Sequence, residues 1–208
     1  MGNLEHKHIL VLGGAFSTGK STMLEQIRSD FGDKYHYILD GGRAALEHVA
    51  QGRVPEKLSQ EELTQVQRLV IEHYVEAEAA IPPGKLAIAD GSLIEAAAYS
   101  QFILPTKDMV YLNALLRHRD WHQTYTYVKF PPILPIEYDG VRHSDYQNQV
   151  LIDQRIDRVL AKNSFPVIHV VSDEFVLRYA QVLRTLFTTE QYEHTRRLQR
   201  SDGGPSTL

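Results

Sequence analysis

The chain contains no cysteine in its 208 residues. That absence removes disulfides, thiolate metal sites and cysteine nucleophiles together, and it suits a reducing compartment, so a cytoplasmic protein is expected. No stretch approaches the roughly 20 consecutive apolar residues that a membrane span requires. The polar start from Met1 to Lys7 carries no signal-peptide core either, so the expectation is a protein with no membrane partner. An excess of positive charge is also missing. With 22 Lys and Arg against 26 Asp and Glu the formal charge is -4, which disfavours a protein held on nucleic acid by a general basic field, though a local basic groove is compatible with it. There is no internal repeat, heptad run or low-complexity tract. No Asn-Lys-x-Asp sequence selects guanine, which argues against an ordinary GTPase switch. The ten histidines include same-face pairs, His6 with His8 and His118 with His122, but no His-Glu-x-x-His or cysteine partner accompanies them, so no structural metal site is expected.

What is present is an alternation of short apolar runs with longer helical patterns, the signature of an α/β fold with a mostly parallel sheet. The runs His8 to Leu12, Tyr35 to Leu39, Leu86 to Ala89, Thr124 to Phe130 and Pro166 to Val171 read as five strands. Helices are expected from about Ser21 to Phe31, Arg43 to Gln51, Ser59 to Ala80, Leu93 to Ile103, Asp108 to His118, Tyr146 to Lys162 and Glu174 to Phe187. Ser59 with Glu62, and Ser92 with Glu95, have the spacing of capping boxes. One domain spanning residues 1–187 accounts for the length. The segment rich in proline, glycine and charge at about 131–145 serves as a lid loop, and residues 188–208 form a C-terminal helix and a partly disordered tail.

The first strand runs straight into Gly14-Ala15-Phe16-Ser17-Thr18-Gly19-Lys20-Ser21, followed by Thr22. This is a complete phosphate-binding loop of the Walker A type. Small residues let successive N–H groups face one anion, Lys20 reaches the β and γ phosphates, and the Ser21 hydroxyl binds magnesium. The following helix presents its positive end to the same phosphates. A bare glycine turn between strand and helix has no reason to carry Lys20 and Ser21 in these places.

In parallel sheets ligands sit beyond the carboxyl ends of the strands, where Asp40 and Asp90 fall. Phosphoryl transfer to an alcohol needs one carboxylate to accept the hydroxyl proton and another to hold magnesium, partly through water. Other readings stay open: Asp40 begins a turn with Gly41 and Gly42, and Asp90 helps cap the next helix. Arg43 starts a helix near Asp40. Arg142, in Asp139-Gly140-Val141-Arg142, either closes with the lid over phosphates or is a solvated loop arginine. Arg155 and Arg158 are expected to face water, and Tyr125 and Tyr127 to share one face of a strand.

These segments, with Asp90-Gly91-Ser92 and Phe130-Pro131-Pro132-Ile133-Leu134-Pro135, resemble the small P-loop ATPase/kinase family that includes the ribosylnicotinamide kinase domain of the bacterial NAD biosynthesis regulator. The deoxynucleoside and nucleotide kinases are its neighbours. The resemblance covers roughly Ile9 to Leu183 and implies a five-stranded parallel sheet with helices on both faces, ATP with Mg2+, and an acceptor between the second-strand carboxylate and the lid. By position it makes Asp40 the general base, Asp90 the magnesium-side carboxylate, Arg43 an acceptor contact and Arg142 a lid contact. Related kinases often carry Glu in place of Asp40 and Arg in place of Gly91, which implies a different phosphate clamp or weaker catalysis. The expected activity is phosphorylation of a hydroxyl on a nucleoside, nucleotide or similar small molecule. Its alternatives are a phage-type kinase of hydroxymethylated pyrimidine in DNA and a nucleotide-dependent regulatory ATPase.

Overall fold

The computed structural model describes residues 8–104, 125–133, 136, 146–162 and 165–201. Within them, strands and helices alternate as β1 (Ile9–Gly13), α1 (Lys20–Phe31), β2 (His36–Ile38), α2 (Gly41–Ala50), α3 (Gln60–Ala79), β3 (Ala87–Asp90), α4 (Leu93–Ile103), β4 (Tyr125–Lys129), α5 (Tyr146–Lys162), β5 (Val167–His169) and α6 (Phe175–Ser201). All strand pairs are parallel and the sheet order is β2-β3-β1-β4-β5, so the chain forms a five-stranded α/β sheet with β1 at its centre. The expected helix from Asp108 to His118, most of the lid segment, Arg142, and the residues after Ser201 lie outside the described residues.

The period-two geometry of a strand sends alternate residues to opposite faces, and β1 shows the result. Ile9 and Val11 join one apolar cluster with α3, α4 and α5, while Leu10 and Leu12 join another with Met23, Leu24 and Ile27 of α1 and Val182 and Leu186 of α6. Every β1 residue is buried, as a parallel strand covered on both faces requires. Tyr125 and Tyr127 do share a face, both in the first cluster. At α3 the capping box forms in full: Glu62 N donates to Ser59 Oγ at 3.2 Å, and Ser59 N donates to Glu62 Oε2 at 2.8 Å.

Two sequence expectations need correction. The last helix does not stop near Phe187 but continues to Ser201. Its later half is masked by polar letters, yet Thr189 and Glu193 are buried, and Glu193 lies 3.2 Å from His8 at the start of the sheet. Arg155 is not simply solvated: it donates to the Gln101 carbonyl at 2.7 Å and lies over the Phe102 ring, joining α5 to α4.

At the carboxyl end of β4, Lys129 is buried and paired with Asp153 at 3.0 Å and with the half-exposed Asp157, both on α5. Desolvation of the Asp153 carboxyl raises its pKa, while Lys129 and Lys20 pull it back down. Removing the cation strands Asp153. Lys129→Met should therefore lower stability by about 3 kcal/mol, the low end for a broken buried pair because Asp157 reaches water. The check is a urea unfolding midpoint, and an unchanged midpoint would mean the pairs are solvated and carry nothing.

Candidate active site

Between β1 and α1 the chain makes a tight loop with positive φ at Gly14, Ser17 and Gly19 (136°, 54° and 84°). Helices α2, α3 and α4 start under side-chain caps from Asp40, Ser59 and Ser92. Helix α1 starts at Gly19 with no side-chain cap and no acid in its first turn. The first N–H groups of a helix need acceptors, and an anion at this end satisfies them while meeting the positive end of the dipole. Lys20 folds over the loop, its Nζ donating to the Ala15 carbonyl at 2.5 Å and to Thr18 Oγ1 at 3.3 Å. Ala15, Phe16 and Thr18 are buried, while Ser21 and Thr22 are exposed on the first turn of α1.

Three side chains that the sequence does not assign to this loop hold it from behind. Gly14 N donates to Glu95 Oε1 at 3.1 Å, Gln149 Nε2 donates to the Phe16 carbonyl at 2.7 Å, and Arg178 Nη1 donates to the Thr18 carbonyl at 2.8 Å. They come from α4, α5 and α6, and all three are buried. Gln149 and Arg178 are 133 and 160 positions away from their partners, a distance no local pattern spans. Glu95 gave a signal that was read differently. Ser92 Oγ does cap α4, accepting from Ile94 N at 3.1 Å, but it donates to Glu95 Oε2 at 2.6 Å, and Glu95 turns to the loop and to the Tyr127 hydroxyl instead of completing a capping box. A Cβ on Gly13 would lie 2.0 Å from Tyr127 Cζ, so glycine is required where this brace passes under the loop.

The strand-end carboxylates meet the loop from β2 and β3. Ser21 Oγ donates to Asp90 Oδ2 at 2.5 Å, and the Asp90 carbonyl accepts from Tyr74 OH at 2.8 Å. Burial pushes the Asp90 carboxyl above the usual carboxylate range, against the opposing pull of Lys20 and of the Ser21 hydrogen bond. Asp40, half-buried, takes the turn role: its Oδ1 accepts from Gly42 N at 2.9 Å and caps α2. It also lines the same cavity as Lys20 and Asp90. Arg43 is exposed on the first turn of α2 and does not line that cavity, although its charge helps hold the Asp90 pKa down. Gly91 has φ of 79°, and a Cβ there would lie 2.7 Å from the Tyr74 hydroxyl, so the bond from Tyr74 to the Asp90 carbonyl leaves no ordinary place for a larger residue.

The cavity measures about 320 Å³. Gly14, Lys20, Asp40, Asp90 and Glu95 line it together with apolar side chains, most of them from α2, α3 and α4. An oxygen pair from Ser21 and Asp90 has the hard-donor chemistry that magnesium takes. The arrangement can bind a polyphosphate, hold a divalent cation beside it, and admit a second molecule next to both.

A family model described as AAA domain matches residues 9–178, so the chain belongs to that family. No curated protein matches it by sequence. Among solved structures it is similar to the NadR protein in complex with NR (18% identity, TM-score 0.63, 86% of this chain and 49% of that one). It is also similar to thymidylate kinase from Candida albicans (15%, TM-score 0.61, 89% and 93%) and to deoxyadenosine kinase from M. mycoides (12%, TM-score 0.58, 88% and 99%). The chain thus spans about half the length of the NadR chain and nearly all of the two kinases. At these identities the shared property is the fold, that of P-loop nucleoside and nucleotide kinases.

A buried carboxylate with a raised pKa favours folding below its unfolded value, and that contribution is lost as pH rises through the folded-state value. Ionised Asp90 is therefore a cost to the nucleotide-free chain at neutral pH. Asp90→Asn keeps an oxygen to accept from Ser21 and removes the charge. Its thermal midpoint, measured without nucleotide or metal, should exceed the parent's near neutral pH, with the gain vanishing in acid; a midpoint below the parent's at neutral pH would contradict this.

Proposed function

We propose that this AAA-domain protein is an ATP- and magnesium-dependent kinase that transfers the γ-phosphate to a hydroxyl of a nucleoside, a nucleotide or a similar small molecule. The observation that carries this reading is one cavity lined both by Lys20, Asp40 and Asp90 and by a broad apolar wall. A nucleotide switch needs only the charged lining. A phosphotransferase needs room for an acceptor as well.

In this reading the N–H groups at the start of α1 and the Lys20 ammonium bind the β and γ phosphates. Ser21 and Asp90 would hold magnesium, which when bound neutralises charge on the phosphate oxygens. Asp40 accepts the proton of the acceptor hydroxyl. That oxygen bonds to the γ-phosphorus as the bond to the bridging oxygen breaks, and ADP leaves with the electron pair. The cap on α2 fixes Asp40 at the cavity edge, which suits a side chain one methylene shorter than Glu. Arg43 and Arg142 serve as acceptor and lid contacts.

The roles of the two aspartates separate in kinetics. Asp40→Asn should keep magnesium-ATP binding while transfer falls by roughly 10²-fold or more, since only the proton acceptor is lost. Asp90→Asn should weaken the metal-dependent binding itself. The measurements are magnesium-ATP titration and γ-phosphate transfer across an acceptor panel. Loss of metal-dependent binding in Asp40→Asn with retention in Asp90→Asn would reverse the assignment.

A further inference from the structure

Asp40 follows β2 and Asp90 ends β3, and one side chain of α3 reaches the turn after each of them. Tyr74 OH donates to the Asp90 carbonyl at 2.8 Å. The same hydroxyl takes a backbone hydrogen bond from Gly41, the residue after Asp40. Next to it in the chain, His73 holds that second turn as well: its Nε2 donates to the Leu39 carbonyl at 3.0 Å, and a Cβ on Gly41 would lie 2.4 Å from His73 Cδ2. Burial, with the charges of Asp90 and Glu95, pushes the Tyr74 pKa well above its ordinary value, so the hydroxyl keeps its proton at neutral pH and stays a donor. The turn after Asp90 is free in itself. Gly91 has no Cβ and sits at φ of 79°, a region glycine enters and leaves readily, so local sterics do not set the direction of the Asp90–Gly91 peptide. The buried hydroxyl bonded to that carbonyl sets it. Because the Asp90 carboxyl is joined to the same peptide through one Cα, what fixes the peptide also aims the carboxyl at Ser21, 2.5 Å away.

We propose that Tyr74 is a positioning residue: by holding the turns after Asp40 and Asp90 on one hydroxyl, it fixes the place of the metal-side carboxylate relative to the acceptor-side one. This rests on the roles given to the two aspartates in the proposed function. It goes beyond them by assigning the spacing between the two carboxylates to a side chain on a third element.

The test is calorimetric titration of ATP into the full chain, with magnesium present and with magnesium chelated, for the parent, Tyr74→Phe, His73→Phe and Gly91→Ala, each checked for folding by circular dichroism. Tyr74→Phe keeps the ring and removes only the hydroxyl. Its magnesium-free affinity should match the parent's, because the phosphate loop and Lys20 are untouched. The gain in affinity that magnesium gives should shrink by about fivefold, as the loss of one buried hydrogen bond implies. His73→Phe loosens the Asp40 turn alone and should keep the full gain. Gly91→Ala, whose Cβ would lie 2.7 Å from the hydroxyl, displaces the same contact from the other side and should shrink the gain as Tyr74→Phe does. An unchanged gain in Tyr74→Phe would overturn the positioning role. So would equal losses with and without magnesium, or an equal shrinkage in His73→Phe, since either marks a general loosening of α3. A parent whose affinity does not respond to magnesium would overturn the metal assignment itself, and the positioning role with it.

Discussion

A loop that turns its backbone N–H groups toward an anion has to be held from the opposite side, because the bonds that would otherwise fix it are the ones kept for the ligand. In this chain that requirement organises the sheet end. Glu95, Gln149 and Arg178 reach Gly14, Phe16 and Thr18 from three different helices, so alternate loop residues are each tied to a separate part of the fold. Buried hydrogen bonds of this kind contribute about 0.5–1.5 kcal/mol each, and more where a partner is charged. Together they offset the positive φ of Ser17, a conformation that a non-glycine residue holds only when its surroundings impose it. Arg178, a buried cation resting on a backbone carbonyl and over the Phe130 ring, shows how far the fold goes to keep the loop in place.

The same segment that braces the loop also reaches the start of α1. From Asp90 to Glu95 the chain leaves β3, caps α4 and turns back twice, once through Asp90 to Ser21 and once through Glu95 to Gly14. The two ends of the phosphate loop are therefore referenced to one short stretch, and a displacement of β3 or α4 moves both. Tyr127 and Tyr74 lock that stretch from β4 and α3. Binding at the cavity, which α3 and α4 line, is mechanically close to the phosphate loop for this reason.

Sequence and structure agree where the physics is local. The glycines, lysine and serine of the loop, the Ser59 and Glu62 box and the strand-end position of the two aspartates are all set by neighbours within a turn or a strand, and each is legible. Helices α4 and α5 fall at the expected residues for the same reason. What the sequence concealed depends on contacts across the fold. The second half of α6 looks solvent-like because its buried face carries Thr189 and Glu193 rather than aliphatic residues. Glu95 has the spacing of a capping residue but finds stronger partners in Tyr127 and Gly14. Gly91 stands out by comparison with related kinases, and its cause, the Tyr74 hydroxyl, sits on another helix. The cavity is assembled from five helices and the segments between them, and has no contiguous trace in the chain.

In the proposed function, the Ser21 hydroxyl paired with Asp90 beside Lys20 is the seat for a metal-bound polyphosphate. Calorimetric titration of ATP into the full chain, with magnesium present and with magnesium chelated, tests it most directly. The predicted result is binding at least about tenfold tighter with magnesium, as hard-oxygen coordination between protein and phosphates implies. Equal affinity in the two conditions, or no binding in either, would contradict it.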